Sequence, residues 1–488
     1  MPISFLGINP SLRVPGVYVE ISNSRALRGL FTLPRRLLVV GQRLTTGTQA
    51  ALTLQLVTSE AQGAEYFGSG SMLHGMLRAV FAQRPFVPVY AIALADAGAS
   101  TAATGQIAFT GPSTAAGTLY LYLAGYRLTL AVPSGTSAGA VASGLATAVN
   151  AATYLPVTAN AASGTITFTA RNKGTIGNAL DIRLNYYAGE SLPAGIGAPI
   201  TPMAGGATDP DLSTILPVLG EEQFTEWVIP YLDATSLTAL DAELESRWGP
   251  MRQNDGRAFF GTSRTHANLV TFGASLNSKH FVVAGLENLP APGYELAGAV
   301  AAQAAMSAQN DPARPFTTLP LEGILPPATA DAFITTERDI LLHNGISTAV
   351  VDSGGKLRIE RLITTYQKNA NLAADISFLD LTAVSTLGYL RYDLRNYLLN
   401  KYPRHKLADD GAQYGPGQAI VTPSVMKAEV VGRFRQWEFL GLVENADQFL
   451  TDLVVERNVQ DPNRLDILAS PDLVNQLLVA GVQLEFIL

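Results

Sequence analysis

The sequence predicts a multidomain α/β (α+β) chain: a discontinuous α/β core, an inserted β-rich module, an α/β C-terminal domain, and a strand-like arm at each end. Three observations carry this prediction. Short apolar runs that read as buried strands alternate with stretches of helical periodicity on both sides of one foreign block. That block, Gly98 to Ile200, holds only six charged residues (Arg127, Arg171, Lys173, Asp181, Arg183 and Glu190) among Ala, Gly, Thr and Ser. The two ends, R-V-P-G-V-Y-V-E-I (Arg13 to Ile21) and G-V-Q-L-E-F-I-L (Gly481 to Leu488), alternate apolar with polar residues where termini usually turn polar.

In the first arm Val17, Val19 and Ile21 share a face; in the last, Val482, Leu484, Phe486 and Leu488 do. Leu37 to Gly41 (L-L-V-V-G) reads as a buried strand, Glu60 to Arg84 as helical, and Val87 to Leu94 as the next strand, a β-α-β unit. Inside the foreign block, Thr118 to Leu123 and Tyr126 to Val132 flank Ala124-Gly125 as a two-residue hairpin. T-I-T-F-T-A (Thr165 to Ala170) and D-I-R-L-N-Y (Asp181 to Tyr186) add strands, Ser137 to Ala152 a helix, and the Gly/Pro-rich Ala188 to Pro210 an exit linker.

The α/β pattern resumes with a strand at Trp227 to Tyr231, a helix from Ser236 to Trp248, and strands at R-A-F-F-G (Arg257 to Gly261) and His280 to Gly285. Asp311 to Pro327 is too Pro-rich for a helix. Ala328 to Asn344 reads as a helix ended by Gly345, and strands on either side of Ser353-Gly354-Gly355 follow. A long helix from Asp375 to Pro403 carries Leu381, Val384, Leu387, Leu390, Leu394, Tyr397 and Leu398 on its inner stripe. Thr422-Pro423 then opens a helix to about Leu440, before a strand D-L-V-V-E-R-N (Asp452 to Asn458). The expected domains are an arm at 1–30, a core at 31–97 plus 206–363, the insertion at 98–205 on the outer surface, and a C-terminal domain at 364–488 ending in the arm 481–488.

At 488 residues the chain is long for one core, and about three domains are expected. Hydrophobic residues make up 47% and charged ones only 15%, against roughly 25% in an average soluble domain. So little charge implies a surface largely covered by other subunits. The net charge, 33 − 40 = −7, gives no footprint for nucleic acid or an anionic membrane, so neither is an expected partner. With no cysteine, disulfides, Cys zinc sites and thiol nucleophiles are excluded. No apolar run approaches about 18 residues, and M-P-I-S-F-L-G-I-N-P lacks the pattern of a signal peptide. A soluble protein with no cleaved leader is expected.

Chemistry-bearing motifs are few. G-T-S-A-G (Gly135 to Gly139) matches G-x-S-x-G between a strand and a helix, but the next histidine, His266, lies beyond the module, so a serine hydrolase at Ser137 is a remote alternative. His74, His266, His280, His343 and His405 show no metal-ligand spacing. Gly68-Ser69-Gly70 and Ser353-Gly354-Gly355-Lys356 fall short of phosphate-binding loops and read as turns. Asp375, Asp380, Asp409 and Asp410 read as solvated turn formers. No metal, cofactor or enzymatic activity is expected. Basic charge does cluster late in the chain: Arg391 and Arg395 four apart, Lys401, Arg404, His405 and Lys406 at the helix end, then Arg433 and Arg435. This is either helix-dipole complement on a solvated face or a contact with an acidic partner.

From its residues alone, each terminal strand is equally open to pairing within its chain or with another molecule. The last quarter adds a resemblance. Ile376 to Arg395, Lys401 to Gly411, Trp437 to Asn445, Val454 to Asp466 and Asp472 to Gln476 resemble the contractile tail sheath proteins of Mu-like bacteriophages. R-V-P-G-V-Y-V-E is similar to the P-G-V-Y start common to phage sheaths. The resemblance covers about Thr364 to the end and the first arm.

It implies a structural polymer: hexameric rings stacked around a rigid tail tube, which contract to drive that tube through a host envelope. It further implies terminal strands exchanged between subunits, carried here by Val14, Val17, Tyr18, Val19, Ile21, Val482, Leu484, Phe486 and Leu488. Arg391, Arg395, Lys401, Arg404 and Lys406 become candidate tube contacts, with Arg433 and Arg435 weaker ones. The implied partners are further copies of the chain, the tube protein, and baseplate and tail terminator proteins. The implied location is the virion tail, assembled in the host cytoplasm, with a tailocin or secretion-system sheath as the structural alternative.

Overall fold

The computed structural model describes residues 33–411, 413–415 and 417–487. These divide into two compact units, Arg35–Val384 and the part from Ser385 onward. The larger begins with β1 (Leu37–Gln42), buried along its whole length as its apolar run requires. An unforeseen strand β2 (Leu54–Val57), helices α1 (Glu60–Phe67) and α2 (Met72–Ala82), and β3 (Val89–Leu94) follow. The single helical stretch read from Glu60 to Arg84 is two helices. Gly68 and Gly70, at φ 88° and 78°, end the first, and the Ser71 hydroxyl caps the second by accepting from the His74 N–H at 3.0 Å.

After β3 the chain enters the module: β4 (Thr104–Ala108), β5 (Gly117–Leu123), β6 (Tyr126–Val132), α3 (Ala138–Ala151), β7 (Val157–Ala162), β8 (Thr165–Ala170), β9 (Ile182–Leu184) and β10 (Ile200–Ala204). These form two antiparallel sheets, β10-β4-β8-β7 and β6-β5-β9. Ala124 and Gly125, at φ 50° and 83°, make the two-residue turn of the β5–β6 hairpin. Part of the expected exit linker is strand instead: Ile200 and Thr201 pair with Ile107 and Gln106 of β4, an edge pairing that Gly/Pro content conceals.

The core resumes through α4 (Leu216–Leu219), β11 (Glu226–Val228), α5 (Ala234–Trp248), β12 (Arg257–Ser263), α6 (His266–Ala274), β13 (Phe281–Leu286) and α7 (Gly293–Asn310). Helices α6 and α7 were not anticipated. Helix α7 is buried on nearly every side, from Tyr294 to Ala308, so no amphipathic stripe announces it. One sheet, β13-β12-β11-β1-β3-β2, is parallel except for β2. Leu37, Val39, Ala91, Phe259 and Val282 face α2 and α7, while Leu38, Val40, Ile92, Phe260 and Val283 share the opposite core with Leu240 of α5 and Leu269 of α6. Strand β12 meets α7 glycine on glycine: a Cβ on Gly261 would lie 2.1 Å from the Gly293 carbonyl oxygen.

Helix α8 (Thr335–His343) is shorter than its predicted span, since Thr329–Asp331 forms a separate 3-10 turn, and Gly345 at φ 74° follows its end. Strands β14 (Thr348–Val351) and β15 (Leu357–Arg361) pair antiparallel across a turn in which the Asp352 carboxylate accepts from Gly354 and Lys356 N–H, both at 2.9 Å. Helix α9 runs Leu381–Lys401 rather than from Asp375. Residues 375–380 are held in a turn instead: Tyr366 donates to Asp375 at 2.7 Å, and Thr364 N–H to the Leu379 carbonyl at 2.7 Å. The sequence sets the C-terminal domain from residue 364, whereas the compact units divide between Val384 and Ser385.

The smaller unit holds the rest of α9, then β16 (Lys406–Leu407), β17 (Ile420–Val421), α10 (Pro423–Phe439), β18 (Val443–Glu444), α11 (Ala446–Asp452), β19 (Val454–Arg457), β20 (Leu465–Leu468) and β21 (Asp472–Leu473). Its centre is an ion pair between α9 and α10. Arg433 Nε donates to Asp393 Oδ2 at 2.6 Å, its Nη2 donates to Oδ1, and Trp437 Nε1 adds a third bond to the same carboxylate at 2.7 Å. Both charges are buried, and the Arg433 guanidinium lies 4.6 Å from the Tyr397 ring centroid. Among the described residues, no helix is long and apolar enough to cross a membrane.

Two stability predictions result. Gly261→Ala forces β12 and α7 apart and costs about 1–3 kcal/mol, read as a lowered midpoint for the larger unit in calorimetry. Arg433→Met leaves Asp393 buried without its partner and destabilises the smaller unit by about 3–5 kcal/mol in urea unfolding, whereas exposed Arg435→Met changes it little.

Candidate intersubunit surfaces

Read as a strand from the sequence, Gly481 to Leu488 pairs with no edge of its own chain over the described residues 481–487. A strand exists only against a partner edge, and residues 479–487 have none among the described residues. Their side chains stand in solvent: Leu484 is 90% and Ile487 100% exposed, and Val482 and Phe486 are nearly as open. Leu477 and Val479 lengthen this apolar series toward the chain interior. Val14, Val17, Tyr18, Val19, Ile21 and Leu488, the other strand-exchange candidates, lie outside the described residues.

The same unit carries short sheets with unfilled edges. Strands β19 and β20 make a two-stranded hairpin, β18 and β21 pair as a two-stranded antiparallel sheet, and among the described residues neither pair has a third strand. Val454 and Leu468 sit opposite each other in the β19–β20 register, and both are exposed, so the hairpin offers an apolar rung as well as free backbone groups. The sequence reading found β19 but not its partner or the open rung. The signal was present as V-V-E-R and L-D-I-L on either side of the Asp461-Pro462-Asn463 turn.

The basic residues do not share one environment. Arg395, Arg404 and Lys406 are exposed, with Lys406 Nζ donating to Gln418 at 3.1 Å. Arg391 is half-buried, and burial followed by the charge of Arg395 lowers its guanidinium below the usual range. Lys401 is bound to Glu429 at 2.5 Å and to the Tyr397 hydroxyl at 3.0 Å. Burial pushes the Glu429 carboxyl up, but Lys401 and Tyr397 outweigh it and hold the group below its ordinary value. Arg435 pairs with Glu438 at 2.8 Å. Arg433 is removed from the surface candidates altogether, because a guanidinium spent on a buried carboxylate cannot reach a partner.

The chemical motifs resolve into local structure. Ser137 Oγ accepts from the Ala140 N–H as the N-cap of α3. Asp380 binds Arg361, Asp409 binds Arg457, and Asp410 accepts from Ser424 at the start of α10. His74 Nδ1 accepts from the Gly70 N–H at 3.1 Å, His280 bonds Glu245 at 2.9 Å, and His266 bonds the Glu337 carbonyl at 3.1 Å. No group of three His, Cys, Asp or Glu suited to a metal occurs among the described residues. The carboxyl edge of the parallel strands, where open α/β sheets commonly bind ligands, meets the inserted module. Gln42, ending β1, donates to the Lys173 carbonyl at 2.7 Å, and Asn172 donates to the Arg43 carbonyl at 3.0 Å.

Known proteins share this architecture. A family model described as phage tail sheath protein central domain matches residues 205–365, and one described as phage tail sheath C-terminal domain matches residues 373–486. The Mu-like prophage FluMu tail sheath protein of Haemophilus influenzae is 41% identical over 488 residues, the whole of both chains. Among solved structures, the sheath complex of an extracellular contractile injection system in its contracted state gives a TM-score of 0.52 at 10% identity, covering 98% of each chain. A sheath tail protein of Listeria innocua gives 0.49 at 13% identity, covering 91% of this chain and 93% of its own. The first of these is a likeness of fold; the family rests on the full-length identity and on the two domains that adjoin the insertion and contain the open-edged unit. By that measure the chain belongs to the phage tail sheath family, as a tail sheath protein of the Mu-like phages.

Proposed function

We propose that the chain assembles as hexameric rings stacked around an inner tail tube, and that the sheath contracts to drive the tube through a host envelope. Neighbours are linked by exchanged terminal strands. The observation that carries this is the exposed apolar segment ending at Ile487, in a unit whose two-stranded sheets have free edges. The donated strands are carried by Val482, Leu484, Phe486 and Leu488 at one end and by Val14, Val17, Tyr18, Val19 and Ile21 at the other. The β19–β20 hairpin of a neighbour is the receiving edge favoured by its exposed Val454 and Leu468. An added strand of this length makes about four to six backbone hydrogen bonds at roughly 0.5–1.5 kcal/mol net each, besides its apolar face.

No catalytic step, cofactor or nucleotide is assigned: the work of contraction is stored when the extended polymer assembles. Arg391, Arg395, Lys401, Arg404 and Lys406 are the candidate contacts to the tube, of which Lys401 is already paired with Glu429 while Arg395, Arg404 and Lys406 are exposed. The polymer ends meet baseplate and tail terminator proteins, and assembly in the host cytoplasm yields the virion tail. Full-length identity to a Mu-like prophage sheath favours this reading over a tailocin or secretion device.

Deleting Gly481 to Leu488 leaves a folded monomer that forms no tubes in negative-stain micrographs; tubes of normal length would refute strand exchange at this end. Replacing Arg391 and Arg395 with Glu impairs co-assembly on purified tubes more than self-association, measured by co-sedimentation against sheath-only polymer yield. Equal loss of both reassigns the two arginines to subunit packing.

A further inference from the structure

A buried carboxyl joins the core to the inserted module. Glu295, in the first turn of α7, is 1% exposed, and its Oε2 accepts a hydrogen bond from the hydroxyl of Tyr126 on β6 of the module. Gly75 of α2 makes room for it, since a Cβ there would lie 2.8 Å from Glu295 Oε1. Arg78 of α2 approaches that oxygen only to 3.6 Å, too far for a hydrogen bond, and Oε1 has no hydrogen-bond partner. The guanidinium instead lies 3.8 Å from the ring centroid of Tyr126 and 5.2 Å from that of Tyr154, both in the module. The hairpin tip seats beside this joint, with a Cβ on Gly125 falling 3.1 Å from the Ala291 Cα.

We propose that Glu295 is a proton-controlled clamp between core and module, tight while its carboxyl is neutral and loosened when it ionises. An ionised carboxylate here would hold one oxygen without a hydrogen-bond donor in a buried joint, offset by the Arg78 guanidinium 3.6 Å away, whereas the neutral acid keeps the Tyr126 contact at a smaller desolvation cost of its own. Burial raises the Glu295 carboxyl to about 7, outweighing the opposite pull of Arg78 and Tyr126.

The groups facing it from each packed element do not replace it as the titrating site. His74 of α2 is pushed down to about 4 by burial and then by Arg78, so it is neutral near pH 7. Burial holds Tyr126 of β6 and Tyr294 of α7 well above their ordinary values. Burial is the largest single influence on Arg78 and works against its charge, but Glu295, Tyr126 and Glu60 together outweigh it and hold the guanidinium above its ordinary value. Glu60 of α1 is partly exposed and lies 3.6 Å from His74. A closed joint that binds the proton more tightly than the open one keeps its full added stability below the ordinary carboxyl value and loses it progressively as pH rises from there through about 7.

Hydrogen exchange of the full-length chain, corrected for intrinsic rates and read at amides of β6 and the first turns of α7, tests this. In the wild type the opening equilibrium rises roughly tenfold between about pH 6 and about pH 8. Glu295→Gln, a neutral isostere, gives closed, pH-independent protection. Tyr126→Phe removes a donor to the ionised form and moves the midpoint to higher pH, which decides the matter if the Gln variant fails to fold. Flat protection in the wild type, an undiminished response in Glu295→Gln, or an unmoved midpoint in Tyr126→Phe would each overturn the clamp.

Discussion

A parallel sheet has to be covered on both faces, and the larger unit is organised by that requirement. Helices α5 and α6 complete one face, and α2 and α7 the other. The second cover does not stop at the helices. Leu121 and Leu123 of β5, Phe168 of β8 and Val141 of α3 belong to the same buried cluster as Met76 of α2 and Leu296 of α7. The module is therefore separable in composition and inseparable in packing. Its charge-poor sequence fits an element that buries one side against a core, and the Arg78, Tyr126 and Glu295 group is one of the polar contacts along that seam.

The smaller unit is built on a different balance. Its centre is over-determined: one carboxylate takes bonds from Arg433 and Trp437, and Phe434 stacks on Phe449 with ring centroids 4.0 Å apart. Its periphery is under-determined, with two-residue and four-residue strands paired only once and an apolar segment paired with nothing among the described residues. A firm centre with unfilled edges suits a part whose remaining hydrogen bonds are to come from other copies.

The strands of the parallel sheet were largely legible because buried strands are continuous apolar runs: β1, β12 and β13 fall where L-L-V-V-G, R-A-F-F-G and H-F-V-V-A-G place them. The β5–β6 hairpin was legible for a second reason, since Gly125 between two alternating runs supplies the positive φ that a two-residue turn needs, Ala124 adopting it too. What escaped was structure whose signal depends on distant partners. Helix α7 is buried all round and shows no stripe, and β2 and β10 are edge strands in polar or Gly/Pro-rich sequence. In the candidate site, residue type alone could not tell Arg433 from Arg395. A distant carboxylate, Asp393, buries the first, while the second stays exposed.

The low charge also separates the two kinds of contact that a sheath subunit needs. Several of the smaller unit's charges are neutralised internally, as Lys401 with Glu429, Arg435 with Glu438 and Arg457 with Asp409. Under the proposed assembly, subunits are joined by backbone hydrogen bonds and apolar faces, which salt does not screen, while the tube is met by a few exposed cations, which salt does. In the same proposal a strand added to an edge turns with the sheet that receives it, so that the link would survive as the larger units change neighbours. In that proposal the grip on the tube, resting on a few screened cations, is the contact to be released when the sheath shortens. Strong links between subunits and a weak hold on the tube are the combination that lets one polymer move against another.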